Sequence, residues 1–125
     1  MTAVLDSSGW MELLSGTKRA DLYRPVLRAK RLYVPAIVRY EVVRYTLAHA
    51  GPAAGDLALR ALAKFEQVAI DAAVADAAAS LAHEHKLSAA DALVYAAARH
   101  VDAELWTQDQ HFANLPNVRF FPKRQ

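Results

Sequence analysis

The chain has 125 residues, 54% hydrophobic and 22% charged, which suits one packed globular domain over residues 1–125 and excludes a disordered or fibrous protein. It contains no cysteine, so neither a disulfide framework nor a thiolate zinc site is available. The formal net charge of +2 is a mild excess that selects no partner by itself. The N-terminal run Met-Thr-Ala-Val-Leu-Asp has no basic stretch and is too short for a signal peptide. No window reaches the roughly 18 apolar residues of a membrane span. The expected location is the cytoplasm, with no membrane partner.

Residues 2–5 read as a short buried strand. Asp6 or Ser7 then caps a helix over 7–15, with Trp10, Leu13 and Leu14 on one face. A second helix is expected over 19–30 and a strand at Leu32-Tyr33-Val34. Pro35 suits the first position of a helix running to about His49, with Val38, Val42 and Tyr45 as its apolar stripe. Gly51-Pro52-Ala53-Ala54-Gly55 reads as a turn between helices. A helix over 54–66 follows, with Leu59, Leu62 and Phe65 in phase, and then Val68-Ala69-Ile70 as a strand. An Ala-rich helix covers 72–86 and another runs from Ser88 to about His100. Leu105-Trp106-Thr107 and Val118-Arg119-Phe120-Phe121 complete the strands. Strands alternating with helices predict an α/β fold: a mostly parallel twisted sheet of about four to five short strands, flanked by about six to seven helices. Trp10, Tyr40, Tyr45, Tyr95 and Trp106 are mostly in phase with the apolar stripes and read as packing rather than as base-stacking groups.

Four acids stand beside core-like sequence. Asp6 closes Ala3-Val4-Leu5, and Asp109 follows Leu105-Trp106-Thr107. Both lie just past a strand, and open parallel sheets bind ligands at the carboxyl ends of their strands. Glu41 sits at the edge of the Val38/Val42/Tyr45 stripe. Asp91 shares a helix face with Val94, Tyr95 and Ala98. Each acid has a simpler reading: Asp6 as a helix cap, Glu41 as a partner of Arg44, Asp91 as part of a capping box begun by Ser88, Asp109 as a turn residue. A lone carboxylate in apolar surroundings is costly unless it is paired, hydrogen-bonded or metal-bound. Four such acids predict one acidic pocket, which ordinarily holds a divalent cation. A basic surface around such a pocket would suit a polyanion.

The segments Val4-Leu5-Asp6-Ser7-Ser8, Pro35 to Glu41, Ser88-Ala89-Ala90-Asp91-Ala92-Leu93 and Thr107-Gln108-Asp109-Gln110-His111-Phe112 occur in the order and spacing of the PIN domain. Over its whole length the chain resembles the VapC toxins of bacterial toxin–antitoxin pairs. The resemblance implies a Mg²⁺- or Mn²⁺-dependent ribonuclease whose acids are Asp6, Glu41, Asp91 and Asp109. On this reading Asp6 and Asp91 bind the ion directly, and Glu41 and Asp109 orient water or hold a second ion. Ser7 and Thr107 are candidates for supporting hydrogen bonds, with capping and strand-end bonding as their alternative role. The resemblance also implies an RNA substrate, products with 5′-phosphate and 3′-hydroxyl ends, a small cognate antitoxin, and a homodimer that forms a heterotetramer or larger assembly with it. One position departs: many relatives carry an acid where this chain has His111.

Two alternatives stand beside the nuclease. One is a catalytically silent PIN-like binding module. The other is a different Mg²⁺-dependent phosphoesterase, although haloacid-type phosphatases want an acid where Ser8 stands. His83 and His85 are two apart on a helix and make a poor ligand pair, and His49, His100 and His111 have no fixed partner in sequence. Lys18, Arg19, Arg39, Arg44, Lys86 and Arg99 could touch phosphates or simply be solvated.

Overall fold

The computed structural model describes residues 1–123. Five strands form one parallel sheet: β1 (Thr2–Leu5), β2 (Arg31–Pro35), β3 (Glu66–Val68), β4 (Glu104–Thr107) and β5 (Val118–Phe120), in the spatial order β3-β2-β1-β4-β5. The helices are α1 (Ser7–Ser15), α2 (Ala20–Tyr23), α3 (Ala36–Ala63), α4 (Ala72–His85) and α5 (Ala89–His100), with short 3₁₀ turns at Arg24–Arg28 and Gln110–Phe112. Successive residues of β1 point to opposite faces, yet Ala3, Val4 and Leu5 are all fully buried, so both faces of the central strand are covered. No helix among the described residues is long and apolar enough to cross a membrane.

The topology positions one crevice. From β1 the chain moves outward through β2 to β3, and β4 and β5 then add on the other side of β1. The strand order reverses between β1 and β4, so connections leave those two strands in opposite directions and open a cleft at their carboxyl ends. Beyond the strands, the Asp6 amide donates to Trp106 O at 3.0 Å and the Phe121 amide to Thr107 O at 2.9 Å. The strand ends are thereby held together where the acids project.

Local chemistry explains where the elements depart from the sequence pattern. The helix expected over 19–30 is only α2 followed by a 3₁₀ turn with Pro25 in its first turn. Proline has no N–H to give an α-helix and its ring clashes with the preceding turn. Pro35 is the last residue of β2 and caps α3 in an extended conformation, rather than being its first helical residue. The turn expected between helices at 51–55 is present but narrower: Gly51 alone, at φ 86° and ψ 179°, breaks α3 into two helical arms, and Pro52 already lies in the second. With the two arms of α3 counted as one, the described residues form five α-helices where six or seven were expected. β3 begins two residues earlier than its apolar run, because Glu66 and Gln67 pair with Tyr33 and Val34 at the sheet's edge. There Gln67 Nε2 also donates to Leu62 O and Phe65 O at 3.0 and 2.9 Å.

The core takes Trp10, Tyr95 and Trp106, together with Val38, Val42 and Leu62. Leu14, Tyr40, Tyr45 and Leu59, assigned to apolar faces by periodicity, are exposed. Most of that exposure lies along α3.

Candidate active site

Asp6 stands at the junction of β1 and α1, with the residue only 6% exposed. One carboxylate oxygen accepts the Ser7 amide at 2.8 Å, and the other accepts the Thr107 hydroxyl at 2.8 Å. Thr107 is fully buried, and its Oγ1 in turn accepts the Asp109 amide at 3.0 Å. A continuous line of hydrogen bonds therefore runs from the turn after β4 to the acid after β1. Burial pushes the Asp6 carboxyl above its ordinary pKa, and the charge of Asp109 adds to this; the bonds from Thr107 and Ser7 act against it.

Glu41 is presented by the second turn of α3 and is half-buried. Among the described residues Arg44 makes no ion pair with it, so the i,i+3 alternative is not realised. Its pKa is raised first by burial and then by Asp6, with the Ser7 side chain opposing. Ser7 thus acts on both Asp6 and Glu41.

Asp91 lies in the first turn of α5, which Ser88 caps by accepting the Asp91 amide at 3.3 Å. The cap leaves the Asp91 carboxylate free to face Asp109. Its pKa is pushed up to about 6, first by burial, then by the charge of Asp109 and a hydrogen bond shared with it, and then by Asp6; His111 acts in the opposite sense. Asp109 caps the 3₁₀ turn Gln110–Phe112, accepting the His111 amide at 2.9 Å.

These four carboxylates line one cavity of about 650 Å³, together with Ser7, Ser8, Gln108, Gln110, Phe120, Pro122 and Lys123. Four oxygen-donor acids, three of which (Asp6, Glu41 and Asp91) are pushed up in part by a neighbouring carboxylate, form a hard, negatively charged donor set, which fits a divalent cation such as Mg²⁺ or Mn²⁺.

Several lining residues were not singled out from the sequence. The Gln108 side chain is held by the Arg19 guanidinium at 2.7 Å and the Tyr23 hydroxyl at 3.0 Å, and it donates to Glu12 at 3.1 Å. Its partners lie far away in sequence, so no local pattern marks it. The Ser8 hydroxyl oxygen is buried with no hydrogen-bond partner among the described residues. Lys123 is the one lysine or arginine among the residues named here as lining the cavity. Arg19, by contrast, is spent on Gln108 and on the Phe121 and Pro122 carbonyls, and Arg39 bonds Gln67. His111 does have a partner after all: its Nδ1 lies 2.8 Å from Asp109 and 3.7 Å from Asp91.

The chain belongs to the PIN-domain family, whose profile matches residues 3–118. No curated protein matches it in sequence. Among solved structures it is similar to a toxin–antitoxin complex from Klebsiella pneumoniae, at 24% identity and a TM-score of 0.85, over 97% of this chain and 99% of that one. It is also similar to VapC20 of Mycobacterium tuberculosis, described as a sarcin–ricin loop cleaving toxin, at 19% identity and a TM-score of 0.76, over 98% and 99% of the two chains. DNA-bound VapBC from Salmonella typhimurium aligns at 14% identity with a TM-score of 0.78, over 98% of both chains. At these identities the likeness is one of fold.

Proposed function

We propose that this protein is a metal-dependent endoribonuclease acting as the toxin of a toxin–antitoxin pair. The observation that carries the reading is the convergence of Asp6, Glu41, Asp91 and Asp109, from four separate segments, on one cavity at the carboxyl ends of β1 and β4. Asp6 and Asp91 would hold Mg²⁺ or Mn²⁺ directly, with Glu41 and Asp109 orienting water or a second ion. When bound, a divalent cation neutralises phosphodiester charge and makes water a better nucleophile. Thr107 fixes the Asp6 carboxylate through its hydroxyl, and Ser7 offers both its amide and its side chain to the same corner of the site. Attack of water on phosphorus, with the 3′ oxygen leaving, would yield 5′-phosphate and 3′-hydroxyl ends.

Two further observations support the partners. The structural relatives include toxin–antitoxin complexes. The outer side of α3 also carries an apolar groove of about 730 Å³ lined by Tyr40, Val43, Leu47 and Leu59. A contiguous exposed apolar patch of this kind suits a protein partner, either an antitoxin or the second subunit of a homodimer.

The test is cleavage of structured RNA, including a sarcin–ricin loop oligonucleotide, with and without Mg²⁺ or Mn²⁺, beside Asp6→Asn and Asp91→Asn. The expected result is cutting that needs the ion and falls at least about 100-fold in either variant, the scale of lost electrostatic stabilisation at a reacting centre. Equal cutting by all three proteins would overturn the site assignment. Failure to cut any RNA would favour the silent binding module, and turnover of small phosphate esters would favour the phosphoesterase.

A further inference from the structure

The geometry points to His111 as a nitrogen ligand at the rim of the acid cavity, beside Asp91 and Asp109, biasing the site toward imidazole-accepting transition metals such as Co²⁺ over Mg²⁺. The inference rests on the metal-dependent reading above and adds to it a donor and a selectivity.

The placement is specific. His111 Nδ1 is 2.8 Å from Asp109 Oδ1 and 3.7 Å from Asp91 Oδ2. One ligand atom from each of Asp91, Asp109 and His111 lies within 4.8 Å of the other two. Two donors in adjacent octahedral positions, each about 2.1 Å from one ion, stand about 3 Å apart. The observed separations straddle that edge, so small rotations of three side chains suffice to surround a single ion. The backbone beneath is firm: Asp109 accepts the His111 amide at 2.9 Å, and the next residue, Phe112, is fully buried. The imidazole itself is 73% exposed, so it can swing from Asp109 to an ion without unpacking anything. Mg²⁺ favours an all-oxygen shell, whereas imidazole suits later first-row metals, whose affinities rise from Mn²⁺ through Co²⁺ to Ni²⁺. A nitrogen inside a carboxylate set therefore tilts the site along that series.

Calorimetric titration of tag-free protein with Co²⁺ and with Mg²⁺ gives an affinity ratio for the wild type and for His111→Ala. The ratio is expected to fall on the order of tenfold in the variant, the scale of losing one supporting group at a metal site. Pulsed electron paramagnetic resonance of the Mn²⁺-loaded protein should show ¹⁴N modulation that disappears in His111→Ala. Because the ring is exposed, the variant should keep its circular dichroism spectrum. Bound Mn²⁺ without nitrogen modulation, or an unchanged Co²⁺:Mg²⁺ ratio, would reduce His111 to a turn residue hydrogen-bonded to Asp109 and overturn the inference while leaving the nuclease intact. Absence of metal binding in wild type and Asp91→Asn alike would instead overturn the metal-dependent reading itself.

Discussion

Asp91 is held near pKa 6 against an ordinary 3.8, chiefly because it is partly buried and faces Asp109. A raised acid pKa means that the folded state binds its proton more tightly than the unfolded state does. The stability from this group is complete below about pH 4 and is lost as the pH climbs through 6, where the ionised carboxylate costs on the order of 2 kcal/mol. Asparagine cannot ionise. Asp91→Asn should therefore be more stable than the wild type at pH 7.5 in EDTA, with the gap closing below pH 5; chemical denaturation at both pH values checks this, and a variant less stable at pH 7.5 would contradict it. Thr107 acts in the opposite way, because both bonds of its buried hydroxyl are satisfied. Thr107→Val leaves an Asp6 oxygen and the Asp109 amide without that partner, and should lower unfolding free energy by about 2 kcal/mol or more. Thr107→Ser keeps both bonds and removes only a methyl, about 1 kcal/mol. Urea titration followed by tryptophan fluorescence separates the two; equal losses would mean that the hydroxyl does not matter.

Among the elements, α3 has the most consequential geometry. Its first arm carries Glu41 into the site, and its second returns toward the sheet to deliver β3. The bend rests on Gly51, whose φ of 86° with ψ of 179° belongs to a region open almost only to glycine. Pro52 then begins the second arm, where its fixed φ is suited to a first helical position. Gly51→Ala should cost about 1–3 kcal/mol although no atom lies near the place of its new Cβ. A thermal melt is the measurement, and an unchanged midpoint would show that the bend tolerates a side chain. A second glycine matters for another reason. A Cβ at Gly9 would run into the buried side chain of Leu5 and crowd Tyr23, so a larger residue there forces Leu5 to shift in the core.

At the scale of the molecule, the core closes around β1 while apolar side chains remain outside along α3. Tyr40 is 60% exposed, and Leu47, Leu57 and Tyr45 are also uncovered. Helical period gave Tyr45 the same phase as Val38 and Val42, yet only those two are buried. The exposed apolar face supports self-association: sedimentation at micromolar concentration should report a dimer, and a purely monomeric profile would rule it out. The acid cavity takes Glu41 from α3 and is lined mainly by polar and charged groups, whereas the groove along α3 is mainly apolar.

The sequence by itself determined the α/β alternation, the approximate extent of most elements and the strand-end positions of Asp6 and Asp109. These follow from local rules: apolar runs, side-chain caps at Asp6 and Ser88, and the chain direction of a parallel sheet. It also carried the phase of Glu41 and Asp91, because helical period is local. Only the tertiary structure decided that the four acids share a cavity, since strand order rather than chain order sets which strand ends become neighbours. The same holds for Gln108, buried by Arg19 and Tyr23 from far away in sequence, and for His111, whose partners sit on two different elements. A polar side chain looks alike in any sequence window; its burial and its charge depend on what distant segments bring to it.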